Sequence, residues 1–280
     1  MAEAGPSLGV HGACGRMGLR LIQLISEDPD ACLGCAIERP GHPRLGEDAG
    51  TLAGIGKLEV ALVPLGELPG KIDAIIDFSH PTASIELARF CGRSRIPLVV
   101  GTTGFEAAQR EQLLAVSESI PLLISPNMSR AVNLLMRLVA ETARALGPVA
   151  DIEIVEHHHR LKKDAPSGTA LRLAEIAGEA AGIRRCVHGR DGQVGERPHG
   201  EIGIHAVRAG DEPGEHRVIF GLRGESIELR HHALNRDGFV RGAIDAAKYL
   251  AGKPAGVYSM SAVLEGDPLA RGFAASGSAP

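Results

Sequence analysis

The sequence predicts an α/β chain: a doubly wound parallel sheet, then a second α+β domain built on an open mixed sheet. Up to about residue 128, short apolar runs alternate with helical patterns, as in a parallel sheet covered on both faces. Beyond Ser129 that alternation stops, and three strand-like runs follow one another without helices between them. The length of 280 residues accommodates two domains at roughly 150 residues each.

Residues 8–11 read as the first strand. Met17, Leu21, Leu24 and Ile25 then fall at i, i+4, i+7 and i+8 on one helix face, which stops at Asp28-Pro29. Residues 32–37 form the second strand and 72–78 a further one, and Pro81 suits the first turn of the helix that follows. Residues 97–100 are a strand. Thr103 to Glu106 has capping-box spacing and predicts a helix to about Ser119, with a strand at 122–124 after it. Leu135, Leu138, Val139 and Leu146 mark a long helix closed by Gly147-Pro148. In 151–156, Ile152 and Ile154 alternate with acids, as in a half-buried strand. Residues 170–181 are helical, and 188–200, with four glycines, read as a loop. Strands are expected at 202–207, 216–222 and 226–233, and a last helix at 239–251, stopped by Gly252-Lys253-Pro254. The small, polar residues from Gly266 onward predict no stable element.

Composition narrows the function classes. Lys and Arg number 30 against 34 Asp and Glu, a net charge of −4, which argues against a dedicated nucleic-acid binder. The first residues lack the basic and apolar segments of a secretory signal, and no uncharged apolar run approaches 18 residues, so the expected location is cytoplasmic, without a membrane span. The five cysteines are odd in number and read as free thiols. Cys32 and Cys35 form a C-x-x-C, but on a strand residues three apart point to opposite faces, against a redox or metal pair.

Gly12-Ala13-Cys14-Gly15-Arg16-Met17-Gly18 lies between the first strand and the first helix. Glycine lets the backbone turn tightly and approach a pyrophosphate, and the helix start offers free N–H groups and a positive dipole end. Glu38 ends the second strand 20 residues after Gly18, where an acid binds the ribose hydroxyls of NAD. Arg39 beside it suits the 2′-phosphate of NADP, so NADH or NADPH is expected. A solvated acid and a surface cation remain the plain alternatives. The loops after later strands, at 77–81, 101–104 and 125–129, fall on the edge where doubly wound sheets bind ligands, and the first domain reads as Rossmann-like.

Glu156 to Ala170, EHHHRLKKDAPSGTA, carries a second constellation. Three adjacent histidines could begin a zinc site, which would need further ligands at suitable spacing, and His205, His216, His231 and His232 could supply them in principle. The other reading is acid catalysis on an anion. Ser167 is placed as an N-cap with Gly168-Thr169 opening the helix, and His158, His159, Arg160, Lys162 and Lys163 lead into that anion-binding terminus. A small, negatively charged substrate follows from this reading.

The run His158 to Thr169, together with 12–18 and Gly101 to Phe105, resembles the 4-hydroxy-tetrahydrodipicolinate reductase family, formerly called dihydrodipicolinate reductase, of the diaminopimelate route to lysine. The likeness covers about residues 8–265 and includes Arg208 to Gly210, Gly214 to His216 and the pattern His231, Arg236, Phe239, Gly242. It implies NAD(P)H-dependent reduction of a cyclic dicarboxylate with loss of water. By position it implies that His158 is the general acid/base and Lys162 a second proton donor, with His159, Ser167, Gly168 and Thr169 at the substrate. Gly12, Ala13, Cys14, Gly15, Arg16, Met17, Glu38, Arg39, Gly101, Thr102, Thr103, Ser125, Pro126, Asn127 and Met128 are implied at the cofactor, and no residue is assigned to a metal. The resemblance also implies a homotetramer built through the second domain, and a first domain in two pieces, 1–129 and 236–280, around a second at 130–235. Met128 stands where many members carry Phe, and His157 where a small residue is common. A related aspartate dehydrogenase and a non-catalytic NAD(P)-binding regulator are the competing readings.

Overall fold

The computed structural model describes residues 5–266. Two compact units emerge: one runs to Arg130 and resumes at Phe239, and the other is Ala131–Gly238.

The first unit contains β1 (Ser7–His11), α1 (Arg16–Glu27), β2 (Cys32–Glu38), α2 (Ala49–Ala53), β3 (Leu62–Pro64), β4 (Ala74–Asp77), α3 (Pro81–Ser94), β5 (Leu98–Val100), α4 (Ala107–Ala115) and β6 (Pro121–Ile124). Its seven strands follow the order β12-β6-β5-β4-β1-β2-β3, and every pairing is parallel. Here β12 is Gly256–Tyr258, next to the closing helix at Met260–Gly266. Strand order reverses at β1, flanked by β2 and β4, which makes a crevice at the carboxyl ends of β1 and β4. One face buries Leu21, Ile22, Leu24 and Ile25 of α1 with Val240, Ala243 and Ala247 from residues 237–250. The other buries Ile85, Leu87 and Ala88 of α3 with Leu113 of α4. Helices on both faces explain why these strands are continuous apolar runs rather than alternating ones.

The second unit contains most of α5 (Arg130–Leu146), then β7 (Asp151–His158), α6 (Gly168–Ala181), β8 (Arg185–His188), β9 (Glu201–Arg208), β10 (Glu215–Leu222) and β11 (Glu225–His232), before α7 (Asp237–Leu250). The sheet order is β11-β10-β7-β9-β8, with antiparallel β10 pairings and parallel β7/β9 and β8/β9 pairings. Val139 and Ala143 of α5 and Leu173 and Ala177 of α6 pack with Ile152, Ile154, Ile202, Val218 and Phe220. These strand residues all lie on one face, so the opposite face carries Glu153, Val155, His205, Val207 and Ile219, and among the described residues no helix of this unit packs its apolar side there.

The α/β class and the second mixed sheet match the sequence expectation. The helix expected to open at Thr103 begins at Ala107 instead. Gly104 takes φ +85° and keeps the chain out of the helix, and Glu106 N donates to Gln109 Oε1 at 3.0 Å as the cap. Gly266 closes a helix rather than starting the tail, and residues 267–280 lie outside the described residues. All five cysteines are free; Cys32, at the start of β2, is exposed and Cys35 is buried. Among the described residues no helix is long and apolar enough to cross a membrane.

Candidate active site

In the first unit the glycine loop turns directly off β1. Gly12 has φ +74°, and a Cβ there would lie 2.7 Å from Phe78 O. The N–H groups of Gly12 and Ala13 donate to Ile37 O, which fixes the loop beside β2. A Cβ on Gly18 would run into the Gly12 carbonyl, so helix and loop approach closely only with glycine there. Gly15 caps α1 without a side-chain hydrogen bond, and no acid lies in the first turn. The dipole end is therefore left to an outside anion. Glu38 reaches the same loop, its Oε1 accepting from Cys14 N at 3.1 Å, while Oε2 accepts from Arg39 N. This backbone cradle with a carboxylate at its rim fits a dinucleotide.

Asp77, at the end of β4 and fully buried, holds the neighbouring loops together. Its Oδ1 pairs with His11 Nδ1 at 2.7 Å and accepts from Ser79 Oγ; its Oδ2 accepts from Thr102 Oγ1 at 2.8 Å and from Ser84 Oγ. His11 and Asp77 are register partners across the reversal of strand order. Thr102 Oγ1 also accepts from Ser79 N. Gly101 is required because a Cβ would enter the Phe78 ring.

Several expected cofactor residues thus have no side chain to offer. Ala13 and Met128 are buried in the core, and the Thr102 hydroxyl is engaged by Asp77. Met128 also turns its carbonyl onto Gly242. Gly15, Arg16, Arg39, Thr103 and Pro126 are exposed. Ser125 Oγ donates to Asn127 O, and Asn127 Oδ1 accepts from Ser129 N, which shapes that loop.

In the second unit β7 runs two residues further than the sequence pattern suggested, because pairing with β9 continues to His158↔Arg208. That extension decides the site. Glu156 and His158 now share the helix-covered face, and His158 Nδ1 lies 2.5 Å from Glu156 Oε2. Glu156 is fully buried and also accepts both Arg208 terminal nitrogens at 2.7 Å and Ser167 N at 2.9 Å. Burial pushes the Glu156 carboxyl up, but Arg208, His158 and the Ser167 N–H outweigh it, and the net direction is down. For His158 burial wins over Glu156, and its pKa falls below the usual histidine value. His216 packs edge-on at 5.2 Å from the His158 ring, pairs with Ser167 Oγ at 3.1 Å, and is driven by burial and by His158 to about 3.

Ser167 caps α6, its Oγ accepting from Ala170 N. Buried, with its N–H and hydroxyl engaged inside the protein, Ser167 shapes the site instead of reaching out of it. Gly168, by contrast, is exposed at the helix start, with open space where a Cβ would be, and Thr169 follows it. Lys162 Nζ pairs with Asp164 at 2.9 Å. His159 is held by its backbone N–H to Glu212 O, and its buried Nδ1 has no partner among the described residues. The sequence assigns no role to Glu156 or Arg208, and offers His216 only as a conceivable zinc ligand. The i, i+2 spacing of Glu156 and His158 was the available signal.

Residues 7–128 match the family model for the dihydrodipicolinate reductase N-terminus, and 131–264 match that for its C-terminus. The chain belongs to the dihydrodipicolinate reductase family. The 4-hydroxy-tetrahydrodipicolinate reductase of Hahella chejuensis is 45% identical over 261 residues, 92% of this chain and 98% of the relative. That of Anaeromyxobacter dehalogenans strain 2CP-1 is 45% identical over 259 residues, covering 91% and 96%. The dipicolinate-bound dihydrodipicolinate reductase of Paenisporosarcina sp. TG-14 shares the fold at a TM-score of 0.72 and 22% identity, covering 91% of this chain and 97% of that one. The first unit is the NAD(P)-binding half of a reductase of this family, and the aspartate dehydrogenase and regulator readings fall.

Proposed function

We propose how the chain performs the reaction that its family membership gives it: NADH- or NADPH-dependent reduction of 4-hydroxy-tetrahydrodipicolinate to tetrahydrodipicolinate, with loss of water. The observation that carries the proposal is the buried Glu156–His158 pair beside the open start of α6.

The nicotinamide supplies hydride. Glu38 and Arg39 take the adenosine ribose or its 2′-phosphate, and the backbone of 12–17 takes the pyrophosphate. The loops at 101–103 and 125–128 line the same edge. In the second unit a carboxylate of the ring diacid sits at Gly168-Thr169, where the dipole favours an anion, and the unpaired His159 Nδ1 is a ready donor to it. Lys162 exchanges Asp164 for the substrate and stabilises charge that builds on the ring as hydride arrives at C4. Glu156 ties up Nδ1 of His158, so Nε2 is the atom that delivers the proton to the carbon next to C4. Dipicolinate, the ligand in the Paenisporosarcina structure, presents two carboxylates on one ring and is expected to bind here too.

The assembly in this reading is a homotetramer in the cytoplasm. The uncovered sheet face with Val155, Val207 and Ile219 supplies apolar surface for subunit contact, and light scattering at four times the chain mass checks it.

The deciding experiment supplies the condensation product of pyruvate and aspartate semialdehyde and follows NADH and NADPH oxidation separately. His158→Gln and Lys162→Ala are expected to lower kcat by about 10²–10⁴-fold with NADPH binding retained. Unchanged turnover in both variants removes them from the chemistry.

A further inference from the structure

Cys14, Glu38 and His42 bring a sulfur, a carboxylate oxygen and a ring nitrogen within 4.8 Å of one another. Among the described residues no other group of three such side chains converges in this way. All three are half-buried, so a solvated ion can reach them.

The backbone fixes each arm. Cys14 sits in the glycine loop with its N–H on Glu38 Oε1, and Glu38 ends β2. His42 is held in the turn after β2, its N–H donating to Arg39 O and its C=O accepting from Leu45 N. Arg44, whose charge is felt at Cys14, is already paired with Glu47. A tetrahedral ion bound at about 2.3 Å from sulfur and about 2.0–2.2 Å from nitrogen and oxygen brings its ligands within about 3.5 Å of each other. Side-chain rotation covers the remaining ångström.

We propose that Cys14, Glu38 and His42 bind one zinc-class divalent cation, and that the bound ion excludes the dinucleotide. The mixed thiolate, imidazole and carboxylate set is the chemistry that zinc takes, with water as fourth ligand. On binding, the Cys14 thiol gives its proton to solvent, and thiolate plus carboxylate neutralise the two positive charges. Exclusion rests on the reading that Glu38 holds the cofactor ribose. Engaged by the ion, its carboxylate is withdrawn from those hydroxyls, and the ion stands beside the glycine loop. Linkage makes the effect mutual: saturating NADH weakens cation binding by the same factor.

The full-length, metal-free enzyme is titrated with cobalt(II) in the absence of nucleotide. A thiolate-to-cobalt charge-transfer band is expected, lost in Cys14→Ser and kept in Cys32→Ser and Cys186→Ser, whose thiols are exposed elsewhere. Zinc chloride then raises the KM for NADH with kcat unchanged. His42→Ala, which lies outside the cofactor and substrate machinery, keeps normal activity without zinc and needs at least about tenfold more zinc for the same inhibition. No thiolate band, a band that survives Cys14→Ser, inhibition insensitive to His42→Ala, or a band that NADH does not displace overturns the proposal. Failure of the reductase reading looks different: the metal-free enzyme would not oxidise NADH or NADPH at all.

Discussion

Nδ1 of His158 lies 2.5 Å from Oε2 of Glu156, two residues back on the same strand, and both side chains are buried. The carboxylate sets which ring nitrogen faces outward and stabilises the charged imidazole. It is itself held by Arg208 and Ser167. The strand end that carries the proposed acid is thus built from the inside of the sheet outward.

Glu156→Gln tests that arrangement. In its proposed role His158 must be protonated to donate, so activity is expected to fall as pH rises through its pKa. Burial already lowers that pKa and Glu156 opposes the fall. Removing the opposing charge moves the falling limb of kcat/KM to lower pH, with a loss at pH 7 of about 10- to 100-fold. Lowering the pH recovers part of the rate. A loss that is equal at every pH would mean that Glu156 acts on folding alone.

His216 makes a separate pH prediction, on stability. It is neutral in the fold, with a pKa near 3 against the usual 6.5. The unfolded chain therefore binds more protons between these values. Its contribution to stability is complete above pH 6.5 and is lost progressively as pH falls toward 3. Calorimetry of His216→Gln is expected to show a shallower decline in Tm with acidity than the parent. His158 and His231, shifted in the same direction, keep some slope in both.

Two glycines of one motif separate packing from ligand approach. A Cβ on Gly18 meets the Gly12 carbonyl and comes within 2.7 Å of Ala13 Cα, all of it backbone. Gly18→Ala is expected to cost about 1–3 kcal/mol in urea unfolding. Among the described residues a Cβ on Gly15 meets Gly12 O alone, at 3.1 Å, and the residue is exposed. Gly15→Ala is therefore expected to cost less stability than Gly18→Ala, while NADH binding, read by fluorescence, weakens about tenfold, or about 1.4 kcal/mol.

Much of this was legible in the residues themselves. The first unit's strands are short and buried on both sides, so apolar runs bounded by glycine and proline revealed them. β3 was not visible because three residues ending in Pro64 carry no period, and β12, also three residues long, is an edge strand. The site residues of 158–169 stood out by type and spacing. Their support did not, since Arg208 reaches Glu156 from 52 residues away through strand pairing. The Asp77 network was hidden for the same reason: its four partners lie on β1, the following loop, α3 and the loop after β5.

Asp77→Asn is expected to act on one ligand only. The amide can accept at one oxygen, so about two of the four bonds to His11, Ser79, Ser84 and Thr102 are lost. Looser loops at the cofactor edge raise the KM for NADH severalfold. Dipicolinate binding to the cofactor-free enzyme, measured by calorimetry, is expected to stay at the parent value because the residues proposed to hold it belong to the other unit. Equal weakening of both ligands would assign Asp77 to global stability instead.

The glycine-rich segment at 189–200 has a structural anchor that predicts its own test. Glu153 points from the uncovered face of β7, where Gly203 leaves room for its carboxylate. Arg190, Arg197 and His205 converge on it, at 2.8, 2.9 and 2.7 Å. Arg197 also reaches Asp151 and the carbonyls of Ile152 and Glu201. Burial alone would raise the Glu153 pKa, but these donors bring it down to about 2. Its stabilisation is thus present above pH 4.5 and lost as pH falls toward 2. Arg197→Ala is expected to cost about 2 kcal/mol, to flatten that acid dependence, and to expose the segment to faster trypsin cleavage at Arg190. The kcat should not change, because these contacts lie on the face opposite His158. A fall in kcat without a fall in Tm would instead tie the loop to substrate handling.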